Sequence, residues 1–310
     1  MTLLSSRLPM WIVNKMTDRK SSLAFVFIAS LLVSGMAAGA QPTPAKESID
    51  MNLYKRGLQN LQKISPSTEG TPLTNGMPSA LAEHFISFLY GEVYESINLS
   101  PKNRELVLVA GLIAMGEKTT ELSVHINGAL NSGWSVLEMQ EVMLQMSVYS
   151  GLPSFVNGMN TLKEVLDQRK QRGITDVTSP PLASKQKTEK SRLEIGSNQL
   201  EKLQVIEAKA LQDAYKDVSP NFAKHVIEYA FGEILSRPTL DYQTREMITI
   251  AALTAMDATN QLKFHIQGAL NLGILSREIA DIIILVGAYS GFPSMANATN
   301  VLKEVLNERK

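Results

Sequence analysis

From Arg104 to Met115 the chain reads RELVLVAGLIAM, an almost unbroken apolar run. That pattern predicts a helix buried on all sides, with Pro101 in its first turn, where a missing N–H costs nothing. A second helix is predicted over Thr119–Asn131, ended by Gly133 at a position suited to a C-terminal cap. Ser135 then stands three residues before Glu138, the spacing at which a hydroxyl and a carboxylate satisfy each other's orphan amides at a helix start. Met139, Met143 and Met146 recur at helical spacing and predict core or an oligomer seam. Tyr149-Ser150-Gly151-Leu152-Pro153 breaks the pattern before a last helix through Arg169. Strand signals are nearly absent, so the predicted fold is all-α.

The whole pattern then repeats. His84–Lys170 realigns on His225–Lys310 with a single one-residue gap, the signature of an internal duplication. His84 pairs with His225 and His125 with His265, which accounts for all four histidines. Tyr289-Ser290-Gly291-Phe292-Pro293 copies the break of the first half. Gly273, Ser276 and Glu278 copy the cap, with a shorter serine-to-glutamate spacing. Two tandem copies of one small helical module are expected: module one over residues 48–170 and module two over 198–310. The polar stretch 171–197, with Pro180-Pro181 and several lysines, reads as the linker between them.

The first 40 residues read as a segment removed from the folded protein. Arg7, Lys15, Arg19 and Lys20 precede an apolar run from Leu23 to Val33, and Ala38-Gly39-Ala40 offers a cleavage site before Gln41. Charged, apolar and small segments in that order mark a secretory signal, and the run is short for a membrane span. Its basic region is long, so translation starting at Met16 is a second possibility, and an uncleaved anchor is the competing reading. The expected mature protein is periplasmic or secreted, with no stable membrane span. It carries 26 basic against 29 acidic groups, and no clustered basic face of the kind nucleic acid requires. The chain contains no cysteine, so neither a lipid anchor nor a disulfide can form and stability must come from packing; 44% apolar residues suffice for that.

Specific motifs lie along the repeat. Module two carries GEI followed by RPTL, Thr244-Arg245-Glu246 opening an apolar helix, HIQGALNLG, Y-S-G-F-P and a closing LKEVL. Module one carries GEV, SPKNREL, HINGALNSG and YSGLPSFVN. Both resemble the carboxymuconolactone decarboxylase family, whose fold is the alkylhydroperoxidase-like helical module, and the resemblance spans nearly all of the expected mature chain. The family contains lactone decarboxylases and also peroxidases that use Cys-x-x-Cys, a histidine four residues later and an upstream glutamate. Laid on that relay, His125 and His265 match the histidine, and Glu105 and Glu246 the glutamate. The cysteine positions hold Lys118 and Glu121 in module one, and Ala258 and Gln261 in module two. None can become a thiolate, so peroxidase chemistry through the chain's own residues is excluded.

Decarboxylation leaves electron density on an extended enolate and needs a proton donor or acceptor beside a cation. The resemblance therefore implies His125, His265, Glu105 and Glu246 as catalytic residues. A histidine suits proton transfer near neutral pH. Arg104 and Arg245 are the candidate substrate-binding residues, since a guanidinium grips a carboxylate in two places. Glu121 shares a helix face with His125, whereas Gln261 stands in its place in module two, so the copies are not chemically equal. The competing readings are structural. The Arg-Glu pairs could join two helices as buried ion pairs, Tyr149 and Tyr289 could serve as turn and packing residues or wall a pocket, and His84 and His225 could be structural beside Gly91 and Gly232.

The expected function is that of an exported carbon–carbon lyase on a small carboxylated lactone or keto acid, without a cofactor. Histidines without the usual carboxylate spacing argue against a metal site. Export counts against the family's cytoplasmic substrate. The alternatives are a non-catalytic oligomeric binding protein on the same fold and, less favoured, a peroxidase assisted by a partner's thiol. Family members are oligomers of one-module chains, which implies a homo-oligomer, a trimer of these two-module chains.

Overall fold

The computed structural model describes residues 50–65, 72–116, 119–178 and 190–310. The signal-like segment 1–40, Lys118 and linker residues 179–189 lie outside them. Ser48–Lys310 forms one compact unit. Module one runs α1 (Met51–Ile64), α2 (Ser79–Ile86), the π-helical segment π1 (Ser87–Val93), the single turn α3 (Tyr94–Ser96), α4 (Pro101–Met115), α5 (Thr119–Asn131), α6 (Val136–Tyr149) and α7 (Gly151–Gln171). Module two follows with α8 (Arg192–Glu201), α9 (Ala208–Tyr215), α10 (Pro220–His225), the π-helical segment π2 (Val226–Leu235), α11 (Tyr242–Ala255), α12 (Thr259–Asn271), α13 (Ser276–Ser290) and α14 (Phe292–Glu308). The described residues contain no strand, and the fold is all-α, two helical modules in tandem.

The signals at the helix ends act as the sequence suggests, with one exception. Ser100 caps α4 by accepting from Asn103 N–H at 3.1 Å, with Pro101 in the first turn. Gly133 and Gly273 end α5 and α12 at φ of 92° and 87°, a conformation costly for any residue with a Cβ. Ser135 and Glu138 form the reciprocal cap of α6. In module two the cap position falls on Leu275 instead of Ser276. Leu275 N–H donates to the Glu278 carboxylate at 2.9 Å, and its own side chain offers no acceptor.

The apolar helix α4 and its copy α11 pack against each other at the centre. Leu106–Ile113 and Glu246–Thr254 are buried throughout, which explains why neither sequence shows a polar stripe. Around this pair the modules interlock crosswise. Helix α6 of module one packs on α11 and π2, and α13 of module two packs on α4 and π1. One hydrophobic core therefore runs through both modules, and Met139, Met143 and Met146 lie fully inside it. The start of the linker is docked too, with Val136 N–H donating to Val177 O and Arg169 paired with Asp176.

Candidate active site

Glu105 occupies the second turn of α4 and His125 the middle of α5, so a helix hairpin brings them together. His125 Nδ1 lies 2.8 Å from Glu105 Oε2, and both side chains are buried. A carboxylate accepts, so the imidazole carries its proton on Nδ1 and presents Nε2 as an acceptor. Tyr289 fills that place from α13 of the other module, its hydroxyl 2.7 Å from Nε2. Tyr90, on π1, extends the chain with a hydroxyl 3.2 Å from that of Tyr289. Tyr94 donates to the second Glu105 oxygen at 3.0 Å. The result is a continuous line, Tyr90–Tyr289–His125–Glu105–Tyr94, in which every bond between Tyr90 and His125 reverses if the proton moves to Nε2.

Burial sets the charge state of this line. Desolvation pushes the Tyr90, Tyr94 and Tyr289 phenols well above their ordinary range, reinforced by the nearby Glu105 charge. Tyr289 is half-buried as a residue, and its hydroxyl is held between His125 Nε2 and the Tyr90 hydroxyl. Glu121, half-buried on α5, also bears on Tyr90 and favours its neutral form. Gly128 makes room for the carboxylate, because a Cβ there would overlap Glu105 Oε2 and sit 2.6 Å from Ile64 Cγ2.

Module two repeats the core of this arrangement and little else. His265 Nδ1 lies 2.8 Å from Glu246 Oε2. Tyr149 of module one crosses over as Tyr289 does, and both tyrosines meet their imidazole edge to face, with ring centres 5.6 and 5.3 Å apart, but the Tyr149 hydroxyl is turned to Thr249. The places of Tyr90 and Tyr94 are taken by Phe231 and Leu235, so no phenol reaches Glu246 or His265 along that path.

The two arginines diverge as well. Arg245 is buried and engaged through both terminal nitrogens, with Nη2 on Glu141 of α6 at 2.9 Å and on Arg237 O at 2.7 Å, and Nη1 on Gln145 at 2.7 Å, while its Nε has no partner among the described residues. Its ion pair is thus with the other module, not with the adjacent Glu246, and burial lowers its pKa. Arg104 is half-buried, donates to the Leu99 and Ile97 carbonyls at 2.9 and 3.0 Å, and lies over the Tyr94 ring. Among the described residues no carboxylate lies within ion-pair distance of it. The counterpart of Glu141, Asp281, accepts instead from Asn98 N–H.

A cavity of about 290 Å³ opens beside Glu105, lined by Arg104, Lys63, Asn60, Tyr94, Ser132 and a second carboxylate, Glu95. His125 does not line it and stands behind Glu105. The matching space in module two, between Gln199, Leu235, Tyr242, Arg245 and Glu246, has about 10 Å³. His84 and His225 are exposed and stand apart from both sites. No group of side chains among the described residues is arranged to hold a metal ion.

Sequence reasoning found the histidines, glutamates and arginines; it weighed Tyr289 only as a turn or wall residue and did not consider Tyr90 or Tyr94. The available signal was the repeated Tyr-Ser-Gly-x-Pro.

Paired helices present a buried histidine on a carboxylate in each of two interlocked copies. The chain belongs to the carboxymuconolactone decarboxylase family, whose model matches residues 79–164 and 220–304, more than half of its length. It is similar to the 4-carboxymuconolactone decarboxylase of Acinetobacter baylyi, 30% identical over 92 residues that cover 30% of this chain and 69% of that one. It is also similar to the nitrosuccinic acid decarboxylase of Metarhizium robertsii, 30% identical over 83 residues, 27% of this chain and 58% of the other. A solved Burkholderia xenovorans chain, provisionally described as a gamma-carboxymuconolactone decarboxylase subunit, aligns over 83% of this chain and 98% of its own at 16% identity and a TM-score of 0.48.

Proposed function

We propose that the protein is an exported decarboxylase acting on a small carboxylated lactone or keto acid. The observation that carries this reading is that Glu105 belongs both to the hydrogen-bonded line and to the wall of the cavity. As carbon dioxide leaves, the carbon–carbon bond breaks and its electron pair enters an extended enolate. A proton must then reach carbon, and the developing oxyanion needs a positive neighbour. Arg104 supplies the charge and holds the carboxylate. Glu105 is the group that meets the substrate, and His125 acts through it as the positioning residue that supplies the proton, restocked through Tyr289 and Tyr90. Glu246, His265 and Arg245 are the corresponding residues of module two. The named decarboxylases among the relatives support the reaction class.

The test is loss of the lactone chromophore and release of carbon dioxide with 4-carboxymuconolactone and a panel of related acids. Turnover that disappears in Glu105→Gln and in the His125→Ala/His265→Ala double variant, with helical content intact, is the expected result. A folded protein that turns over no member of the panel overturns the reading. One observation favours a second possibility, a binding protein on the same fold: both histidines are sealed from solvent, at 0% and 6% exposure. Saturable binding without turnover would establish it.

Export rests on the pattern of residues 1–40, and N-terminal sequencing of the periplasmic protein is expected to begin at Gln41. No described helix is long and apolar enough to cross a membrane. Assembly as a trimer of two-module chains is part of the same proposal, and Leu152 and Phe292, matching positions that are each 65% exposed, offer apolar surface for a contact between chains. Light scattering that returns a stable monomer would remove it.

A further inference from the structure

We propose that each chain carries one ligand site, the module-one cavity, in which Lys63 joins Arg104 as a second cation for a small organic acid, while Tyr242 closes the equivalent space in module two. The proposal rests on the reading of Glu105 and Arg104 as the groups that face the ligand.

The two spaces are built from matching residues. Asn60, Ile64, Tyr94, Pro101, Arg104 and Glu105 line one, and Gln199, Leu203, Leu235, Tyr242, Arg245 and Glu246 line the other. Their volumes differ because of what stands at a few positions. Pro101 is small and leaves the mouth of the first space open. Tyr242 in its place bonds Gln199 and Lys202 across the second, and the Lys202 ammonium lies 4.5 Å from its ring centre. Ser132 on the first wall corresponds to Leu272. About 290 Å³ suits a small acid, whereas 10 Å³ holds roughly one water molecule.

Charge follows the same division. Lys63 and Lys202 are counterparts on α1 and α8. Lys202 is spent on Tyr242 and Gln199. Lys63 touches only the Asn60 amide oxygen, at 3.2 Å, and no carboxylate among the described residues lies within ion-pair distance of it. Arg245 is neutralised by Glu141 and buried, whereas Arg104 Nη1 has no partner among the described residues. The two carboxylates on the same wall are taken up by other groups, Glu95 accepting from Asn60 Nδ2 at 2.6 Å and Glu105 bonded to His125 and Tyr94. Module one therefore offers an anion two cations with no ion-pair partner among the described residues, and module two offers none. What module two supplies to the site is Tyr289.

Titration calorimetry of the purified chain with cis,cis-muconate, a stable six-carbon dicarboxylate, tests this. One molecule bound per chain is expected. Lys63→Met and Arg104→Met should each weaken binding by about tenfold, and Lys202→Met should leave the affinity unchanged. Two molecules per chain, equal losses from Lys63→Met and Lys202→Met, or no binding up to about 10 mM would each overturn the proposal. Single-site binding in a protein that turns over no lactone would sustain it while the decarboxylase reading fails. Turnover accompanied by two equal sites would do the reverse.

Discussion

Arg104 and Arg245 hold the same place in two copies of one helix, and they have different roles because the opposite module presents different groups to them. Glu141 and Gln145 reach Arg245, and Glu141 has no exposed route to relax once its partner is removed. Glu141→Leu would leave a buried guanidinium without a counter-charge, and we expect a loss of about 3–5 kcal/mol, read as a shift in the urea midpoint. Asp281→Asn, which weakens only a bond to Asn98 N–H, should cost about 1 kcal/mol. Tyr289→Phe removes the hydroxyl from His125 Nε2 and keeps the ring. Turnover should fall by roughly 10- to 100-fold with the thermal midpoint nearly unchanged, while Tyr149→Phe should alter turnover little. The Glu–His pairs were legible in the sequence because each sits in a local motif on neighbouring helices. The arginine partners and the Tyr289 contact were not, because they join residues 100 and 164 positions apart.

At the level of elements, the N-terminal helix of each module lies against its π-helical segment through two glycines. A Cβ at Gly57 or Gly196 would overlap the carbonyl oxygen of Ile86 or Ile227, and one at Gly91 or Gly232 would run into the backbone of Leu53 or Arg192. Backbone cannot move aside as a side-chain tip can, so Gly196→Ala should force α8 away from π2. A loss of about 1–3 kcal/mol is expected, measured by thermal denaturation, with pocket-lining Gln199 and Leu203 displaced as well. Helix boundaries set by Pro101, Gly133 and Ser135 were legible, since capping is local chemistry. The π-helical turns were not, because widening one turn leaves the order of apolar positions almost unaltered. The start of α13 was misplaced by one residue for a related reason: Glu278 alone anchors it, through a backbone N–H that any residue possesses.

Across the whole molecule, four phenols sit in enclosed surroundings, and burial raises the pKa of Tyr90, Tyr94, Tyr149 and Tyr289 above the ordinary value of 10.0. Below that pH both folded and unfolded chains keep these protons, and they contribute no pH dependence. Above it the unfolded tyrosines ionise and the folded ones resist, so stability should fall by about 1.4 kcal/mol per pH unit for each. Urea midpoints measured on either side of pH 10 should show the onset, and Tyr149→Phe should reduce the slope. The duplication and the all-helical class were plain from the sequence, because repetition and periodicity are carried by the order of residues. The crosswise packing of α6 and α13 was not, since either module alone would display the same pattern. That crossing has a consequence for how the protein can change over generations. In a pair of identical subunits, any substitution in a tyrosine that closes the neighbour's site is made twice, and both sites must tolerate it. Here the two tyrosines, Tyr149 and Tyr289, are separate codons, so a substitution in one leaves the other unchanged.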